Sequence, residues 1–208
     1  MVGGGVEAIF SGIYRRNAWE NSETVSGPGS TTARASDFLD DLIVLVKSLG
    51  TRILLDAGCG DLHWAGPLAD AVEQYIGLDV VPDLIAANQR ATTAPGRRFV
   101  CGDLAADPLP RADVILCRDC LVHFSFDDVS RALSNFQRSG SQYLLTTTFV
   151  ARGANDDIQT GAWRPLDLQA APFAFPAALA LVDEKCTHSG GLYRDKRLAL
   201  WDLTCASR

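Results

Sequence analysis

Five short apolar segments recur in the first three quarters of this 208-residue chain, and helical patterns separate them. These predicted strands cover residues 52–57, 74–80, 98–102, 113–117 and 142–149. All but the third are almost continuously apolar, which is typical of parallel strands buried on both faces. A chain that alternates strand and helix forms a parallel sheet with right-handed crossovers. We therefore predict an α/β fold with a doubly wound, mostly parallel sheet.

The end of the chain has a different pattern. Residues 179–186 and 197–203 read as two more strands, and Ser189-Gly190-Gly191 lies in the turn-rich stretch between them. They predict an antiparallel hairpin that completes a seven-stranded sheet. His188 falls in this turn and is expected to be solvated. Residues 1–208 are expected to form one domain.

Helices are predicted at 37–49, with Ser36 as N-cap, after Pro82, and after Ser125, which has capping-box spacing. Residues 1–35, called the leader here, read as irregular. The leader carries large apolar groups that disordered tails seldom have, so we expect it to fold back over the cofactor site. Residues 150–178 form a long irregular segment, and long loops in compact domains are usually functional.

Charge and composition exclude several classes of function. The net charge is -6 and no basic stripe is present, which disfavours nucleic acid as a partner. The longest apolar run, 42–46, is too short to span a membrane, and the start of the chain lacks signal-peptide features. We therefore expect a cytoplasmic protein. Most cysteines lie in apolar runs and are expected to be reduced: Cys59, Cys101, Cys117, Cys120, Cys186 and Cys205.

The carboxyl ends of the first three strands carry a glycine turn and acidic residues. In open α/β sheets, ligands bind at this edge. The first strand ends in a turn with alternate glycines, Asp56-Ala57-Gly58-Cys59-Gly60-Asp61. The second ends at Asp79, where a carboxylate could accept hydrogen bonds from ribose hydroxyls, and the third at Asp103, which could accept from an adenine amine. Each feature also has a purely structural explanation. The glycines could form an ordinary turn, Asp79 could be a helix N-cap, and Asp103 could cap a loop.

Taken together, these strand ends resemble the class I S-adenosylmethionine-dependent methyltransferases, which have a Rossmann-like fold. The resemblance covers about residues 52–203 and includes the terminal hairpin. Asp61 stands where the family's turn often has a third glycine. The resemblance implies S-adenosylmethionine as cofactor, with Asp79 on the ribose and Asp103 on the adenine.

A narrower pattern is similar to a subgroup of small methyltransferases in this class. It comprises Ser26-Gly27-Pro28-Gly29-Ser30, residues 55–61, Cys117-Arg118-Asp119-Cys120-Leu121-Val122-His123 and residues 160–166. This resemblance names no substrate, but it implies that the leader and the Trp163-Arg164 loop belong to the site. The residues then expected to bind the cofactor are Trp19, Ser30, Asp56, Gly58, Gly60, Asp79, Val80, Asp103, Leu104 and Arg118.

A nicotinamide-dependent oxidoreductase is the main alternative. The nicotinamide fingerprint is Gly-x-Gly-x-x-Gly, and this chain has His63 where the third glycine should stand. The histidine would obstruct the close packing of helix on strand, which favours the methyl donor. A third hypothesis is a non-catalytic module that binds S-adenosylmethionine but has lost the chemistry.

Methyl transfer to a hydroxyl or a protonated amine needs a proton removed, so a general base helps. His123 is the first candidate and Asp119 the second; the alternatives are a structural histidine and an ion pair with Arg118. Trp163 and Arg164 are predicted to contact the substrate. Cys117 and Cys120 make a Cys-x-x-Cys, but a structural zinc site usually needs a second such pair, so we expect no metal.

The sequence therefore predicts an enzyme that O-methylates a small polar molecule, such as a sugar or a hydroxylated metabolite. The acidic charge argues against nucleic acid as the acceptor. The size of the chain leaves no separate domain to recruit a protein substrate.

Overall fold

The computed structural model describes residues 5–187 and 189–204; His188 and Cys205 lie outside this range. It shows a seven-stranded sheet in the order β3-β2-β1-β4-β5-β7-β6. The strands are β1 (Ile53–Ala57), β2 (Gln74–Asp79), β3 (Arg97–Cys101), β4 (Val114–Cys117), β5 (Tyr143–Phe149), β6 (Ala180–Asp183) and β7 (Lys196–Asp202). β1 to β5 pair in parallel, whereas β7 is antiparallel to both β5 and β6. The predicted fold class is confirmed.

Within the described residues, six helices accompany the sheet: α1 (Val6–Arg16), α2 (Thr32–Ala35), α3 (Leu39–Ser48), α4 (Gly66–Asp70), α5 (Pro82–Ala91) and α6 (Phe126–Arg138). Pro28–Ser30, Leu121–His123 and Ser189–Gly191 form short 3-10 turns. Ser125 caps α6, because its side chain accepts a hydrogen bond from the backbone N–H of Asp128. The predicted cap of α3 was wrong: Phe38 occupies that position, and the Ser36 hydroxyl donates to the carbonyl of Ala33.

The central strands are apolar because both faces of the sheet are covered. Leu55 and Ile115 belong to the core on one face, and Leu54 and Leu116 to the core on the other. All four side chains are 0% exposed. This arrangement explains why these strands carry no alternation of polar and apolar residues.

The leader was predicted to be irregular, and this prediction was wrong for residues 6–16, which form α1. Val6, Phe10 and Ile13 recur at helical spacing and pack on the core that includes Leu55. Asn17 ends the helix in the left-handed conformation (φ 44°). Gly5 precedes the helix and supplies no side-chain cap, so the strongest start signal, a capping side chain, was absent from the sequence.

Residues 150–179, all of which the structure describes, contain no helix or strand. The segment is nevertheless held firmly. Leu166 and Leu168 are fully buried, and the Asn155 side chain donates to the carbonyls of Asp167 and Ala171.

No helix within the described ranges is long and apolar enough to cross a membrane. The five described cysteines are free thiols.

Candidate functional site

The turn after β1 requires glycine at two positions. Gly58 and Gly60 have φ values of +89° and +56°, in the region that favours glycine. A Cβ at Gly58 would lie 2.9 Å from Sγ of Cys120, and one at Gly60 would lie 2.0 Å from Oγ of Ser26. The glycines therefore let the strand end, the β4 end and the leader approach one another closely.

Asp79 organises this turn from the end of β2. Its carboxylate accepts hydrogen bonds from the backbone N–H groups of Gly60 and Val81, both at 3.1 Å. Burial raises the pKa of Asp79, although these backbone donors partly offset the effect. The carboxylate links the glycine turn to the start of α5.

Asp103 makes the local contacts of a loop cap. Its Oδ1 accepts from the backbone N–H of Ala105 at 2.8 Å, and its own N–H donates to Asp107. Asp103 and the adjoining Leu104 also line the cavity described next. The cap and a ligand contact are therefore compatible at this position.

A first cavity lies at the carboxyl ends of β1 to β4. Every residue predicted to bind the cofactor lines it: Trp19, Ser30, Asp56, Gly58, Gly60, Asp79, Val80, Asp103, Leu104 and Arg118. The predicted catalytic residues His123 and Asp119 line it too.

Helix α1 forms an apolar wall of the first cavity. The sequence predicted that the leader covers the site, but it did not predict this helix. Val6, Phe10, Ile13 and Tyr14 line the cavity, and Trp19 follows just after the helix. Phe10 also contacts Phe124, with ring centroids 5.7 Å apart. The leader thus supplies one side of the site.

Asp61 anchors the leader to the glycine turn. Its carboxylate accepts from the hydroxyl of Thr24 at 2.8 and 2.9 Å, the N–H of Val25 at 3.1 Å and the hydroxyl of Ser26 at 3.2 Å. This role explains why an acid occupies the place of a third glycine.

His63 also faces the leader. Its Nε2 lies 2.8 Å from Glu23 and 3.0 Å from Oγ1 of Thr32. Hydrogen bonds from the Thr32 backbone and from His63 lower the pKa of Glu23 to about 2. The position that would hold the third glycine of a nicotinamide fingerprint is therefore used to fix the leader.

A buried charge network supports the end of β4. Arg118 donates to Glu184 at 2.7 and 3.0 Å and to the carbonyl of Gly29 at 2.9 Å. Its guanidinium lies over the rings of Phe38 and Trp64, 4.7 and 4.9 Å from their centroids. Arg118 lines the first cavity, but these partners already occupy much of its donor capacity.

Asp119 is held as a carboxylate in a strained position. Its φ of 51° is uncommon for a residue other than glycine, and strain of this kind clusters at functional sites. Lys196 donates to its Oδ2 at 2.6 Å, and Arg118 lies 3.4 Å away. Burial opposes ionisation, but the charges of Lys196 and Arg118 outweigh it and lower the pKa of Asp119 to about 2.

His123 has a fixed tautomer. Nδ1 lies 2.9 Å from the carbonyl oxygen of Ala162, so Nδ1 carries the proton and Nε2 keeps its lone pair in the neutral ring. Burial lowers the pKa of His123 below its usual 6.5. Trp19 packs against the imidazole at 5.1 Å between centroids. The ring can accept a proton through Nε2 near neutral pH.

A second cavity adjoins the first. The two share the residues Trp19, Ser26, Asp119 and His123. The other residues of the second cavity are Gly27, Pro28, Gly29, Phe149, Trp163, Cys186, Tyr193 and Lys196. His123 and Asp119 therefore stand where two ligands could meet.

Trp163 lines this second cavity, but the predicted substrate contact of Arg164 needs correction. Arg164 is buried, and its guanidinium donates to the carbonyls of Leu121, Phe124 and Asp156. These bonds hold the 150–178 segment against the turn that carries His123.

Sequence reasoning missed Glu184 and Lys196, which support Asp119 and Arg118, and Phe149 and Tyr193, which line the second cavity. The sequence signal that could have revealed Glu184 and Lys196 is a charged residue directly beside an apolar strand, since Glu184 follows β6 and Lys196 begins β7.

Cys117 is fully buried in the core. Across the described ranges, no three His, Cys, Asp or Glu side chains are grouped so that they could hold a metal ion.

A sequence profile described as a methyltransferase domain matches residues 54–140. Malonyl-[acyl-carrier protein] O-methyltransferase of Serratia marcescens is 26% identical over 152 residues, which cover 66% of this chain and 58% of that protein. The protein of the same name in Yersinia pestis is 27% identical over 151 residues, with coverage of 66% and 55%. The chain thus spans little more than half the length of these curated relatives.

Among solved structures, magnesium protoporphyrin IX methyltransferase of Synechocystis PCC 6803, with bound S-adenosylmethionine, has a TM-score of 0.58. It is 17% identical, and the match covers 76% of this chain and 82% of that one. This likeness concerns the fold. The profile match includes the glycine turn, Asp79 and Asp103, and it favours the methyl donor over the nicotinamide cofactor. Residues 54–140 thus match a methyltransferase domain, as the strand ends predicted.

Proposed function

We propose that this protein transfers the methyl group of S-adenosylmethionine to a hydroxyl oxygen of a small polar molecule. Sugars and other hydroxylated metabolites are the first class to screen. The observation that carries the proposal is the position of His123, which lines both cavities and keeps Nε2 as a proton acceptor. Both curated relatives are named as O-methyltransferases, which agrees with oxygen as the accepting atom.

The first cavity fits the donor. Asp79 can accept hydrogen bonds from ribose hydroxyls, and Asp103 from the adenine amine. Val80, Leu84 and Leu104 offer apolar surface for a purine face. When bound, S-adenosylmethionine supplies an electrophilic methyl group on a positively charged sulfur.

The residues at the junction of the cavities have separate duties. His123 accepts the proton of the acceptor hydroxyl, a role suited to a neutral imidazole. Asp119 remains ionised and contributes negative charge close to the imidazole. That charge favours the protonated form of His123 once the proton has moved.

The proposal is tested in two steps. Calorimetry with S-adenosylhomocysteine and with NADH comes first; binding of the former alone is expected, and tight binding of NADH alone would overturn the donor assignment. A screen of hydroxylated acceptors with labelled donor follows, and we expect label in the organic product. Tight S-adenosylhomocysteine binding without transfer to any acceptor would instead favour the non-catalytic module.

A further inference from the structure

We propose that the second cavity is the acceptor site and that it selects an aromatic ring bearing a hydroxyl group, rather than a sugar. This inference rests on the proposed function and narrows its substrate class. It follows from the ring cluster of the cavity, from the pairing of its polar side chains and from the acidity that a histidine base requires.

Three aromatic side chains of the second cavity form one cluster. Ring centroids are 6.1 Å apart for Phe149 and Trp163, 5.9 Å for Phe149 and Tyr193, and 5.1 Å for Trp163 and Tyr193. All three pairs meet edge to face, at 73° to 85°. A further planar ring can join such a cluster, and each aromatic contact adds roughly 2- to 10-fold in affinity beyond the area buried.

The cluster has an uncovered surface. Trp163 is 43% exposed and lines the cavity. It lies on the 150–178 segment, which Arg164 fixes in place. A rigid and partly exposed indole at a cavity wall is suited to hold an apolar ligand face.

Most polar side chains of the cavity already have partners within the protein. Lys196 donates to Asp119 and lies 3.1 Å from Glu184. The hydroxyl of Ser26 donates to Asp61, and Nδ1 of His123 to the carbonyl of Ala162. A buried polyol would find few partners here, and each unsatisfied hydroxyl would cost roughly 5- to 150-fold in affinity. One hydroxyl has a partner in Nε2 of His123.

The chemistry also favours an aromatic hydroxyl. A phenol loses its proton near pH 10, as tyrosine does, whereas water has a pKa of about 15.7. An aliphatic alcohol is a weak acid like water. Proton transfer to an imidazole therefore costs much less free energy from a phenol than from an aliphatic alcohol. The hydroxyl proton passes to Nε2, an oxygen lone pair forms the bond to the methyl carbon, and the electrons of the carbon–sulfur bond remain on sulfur.

The test compares acceptors of matched size in the presence of saturating S-adenosylhomocysteine. The probes are 2-naphthol, its saturated analogue decahydro-2-naphthol, and methyl β-glucoside, with binding followed by calorimetry. We expect 2-naphthol to bind at least 10-fold more tightly than either of the others. Equal or tighter binding of the saturated alcohol or the glucoside would overturn the inference.

Two variants locate the binding. Trp163→Ala is expected to weaken 2-naphthol binding by about 5- to 10-fold and to leave S-adenosylhomocysteine affinity unchanged. Leu181→Ala truncates another exposed apolar residue, 52% exposed on β6 and outside both cavities, and should change neither affinity. Unchanged naphthol affinity in Trp163→Ala would contradict the proposed site.

The two proposals can fail separately. If S-adenosylhomocysteine binds and the three probes do not differ, only the aromatic acceptor is wrong. If S-adenosylhomocysteine itself does not bind, the proposed function fails, and the inference fails with it. Methyl transfer to the oxygen of 2-naphthol, with none to the saturated analogue, is the expected result in the labelled-donor assay.

Discussion

The two cavities of this protein are built in different ways. The first is formed where four parallel strands end side by side, and its acidic residues lie at or just after those strand ends, while the leader adds one wall. The second is assembled from the leader, the 150–178 segment and the antiparallel pair β5 and β7. Parallel register brings strand ends to one edge, whereas the second cavity depends on contacts between distant segments.

Their electrostatics differ as well. In the first cavity, burial raises the pKa of Asp56 to about 7 and also raises that of Asp79. At the junction with the second cavity, cations outweigh burial and lower the pKa of Asp119 to about 2. Burial therefore opposes ionisation of two carboxylates in the first cavity, whereas the carboxylate at the junction is held ionised.

The largest expected effect is that of His123→Asn, at the boundary between the cavities. Loss of a general base should reduce kcat by roughly 10²- to 10⁴-fold with a phenolic acceptor, while donor affinity is unchanged. The wild-type rate should fall as the pH drops below the lowered pKa of His123, and the variant should lose this dependence. A purely structural histidine would leave the shape of the pH–rate profile unaltered.

Glu184→Leu tests the network behind the second cavity. The variant lacks the Glu184 carboxylate, so Asp119 becomes the remaining anion beside Arg118 and Lys196. Breaking a buried ion pair in this way typically lowers the free energy of unfolding by about 3–5 kcal/mol. Urea unfolding should show this loss. Asp40→Leu, which alters an exposed acid on α3, is the control and should be nearly neutral. Equal stability of the two variants would show that the network is not a support.

Asp79→Ala tests the first cavity. The change removes the proposed acceptor for ribose hydroxyls and the carboxylate that binds the N–H of Gly60. Hydrogen bonds to a charged group contribute about 1.5–3 kcal/mol, so affinity for S-adenosylhomocysteine should fall about 10- to 150-fold. Asp40→Ala should bind normally in the same calorimetric titration. Normal affinity in Asp79→Ala would mean that this carboxylate only shapes the turn.

Asp56→Asn should change stability by an amount that depends on pH. Because its folded pKa is raised to about 7, Asp56 contributes stability that is complete below the unfolded value of about 3.9 and is lost as pH rises through 7. The slope reaches about 1.4 kcal/mol per pH unit. Asparagine can still accept from the Tyr75 hydroxyl. Unfolding at pH 5 and pH 7 should show a smaller decline in the variant; identical declines would contradict the raised pKa.

The sequence predicted the strand ends well because apolar runs and parallel pairing are local signals with a fixed spatial outcome. Asp56, Asp79 and Asp103 all reached one cavity for that reason. Arg164 was misjudged because a charged residue on a predicted surface loop gives no sign that three backbone carbonyls surround it. Glu184 and Lys196 were missed because their partners, Arg118 and Asp119 respectively, are 66 and 77 positions away in sequence.

The shared wall formed by Trp19 and Ser26 has a thermodynamic consequence. A ligand that shifted this wall in one cavity would change the shape of the other, and the affinities of the two proposed ligands would then be coupled. Such coupling is reciprocal: whatever factor the donor adds to acceptor affinity, the acceptor must add to donor affinity. The methylated product and S-adenosylhomocysteine would then leave with interdependent dissociation constants, and the hydrogen bond from Ser26 to Asp61 opposes movement of this wall.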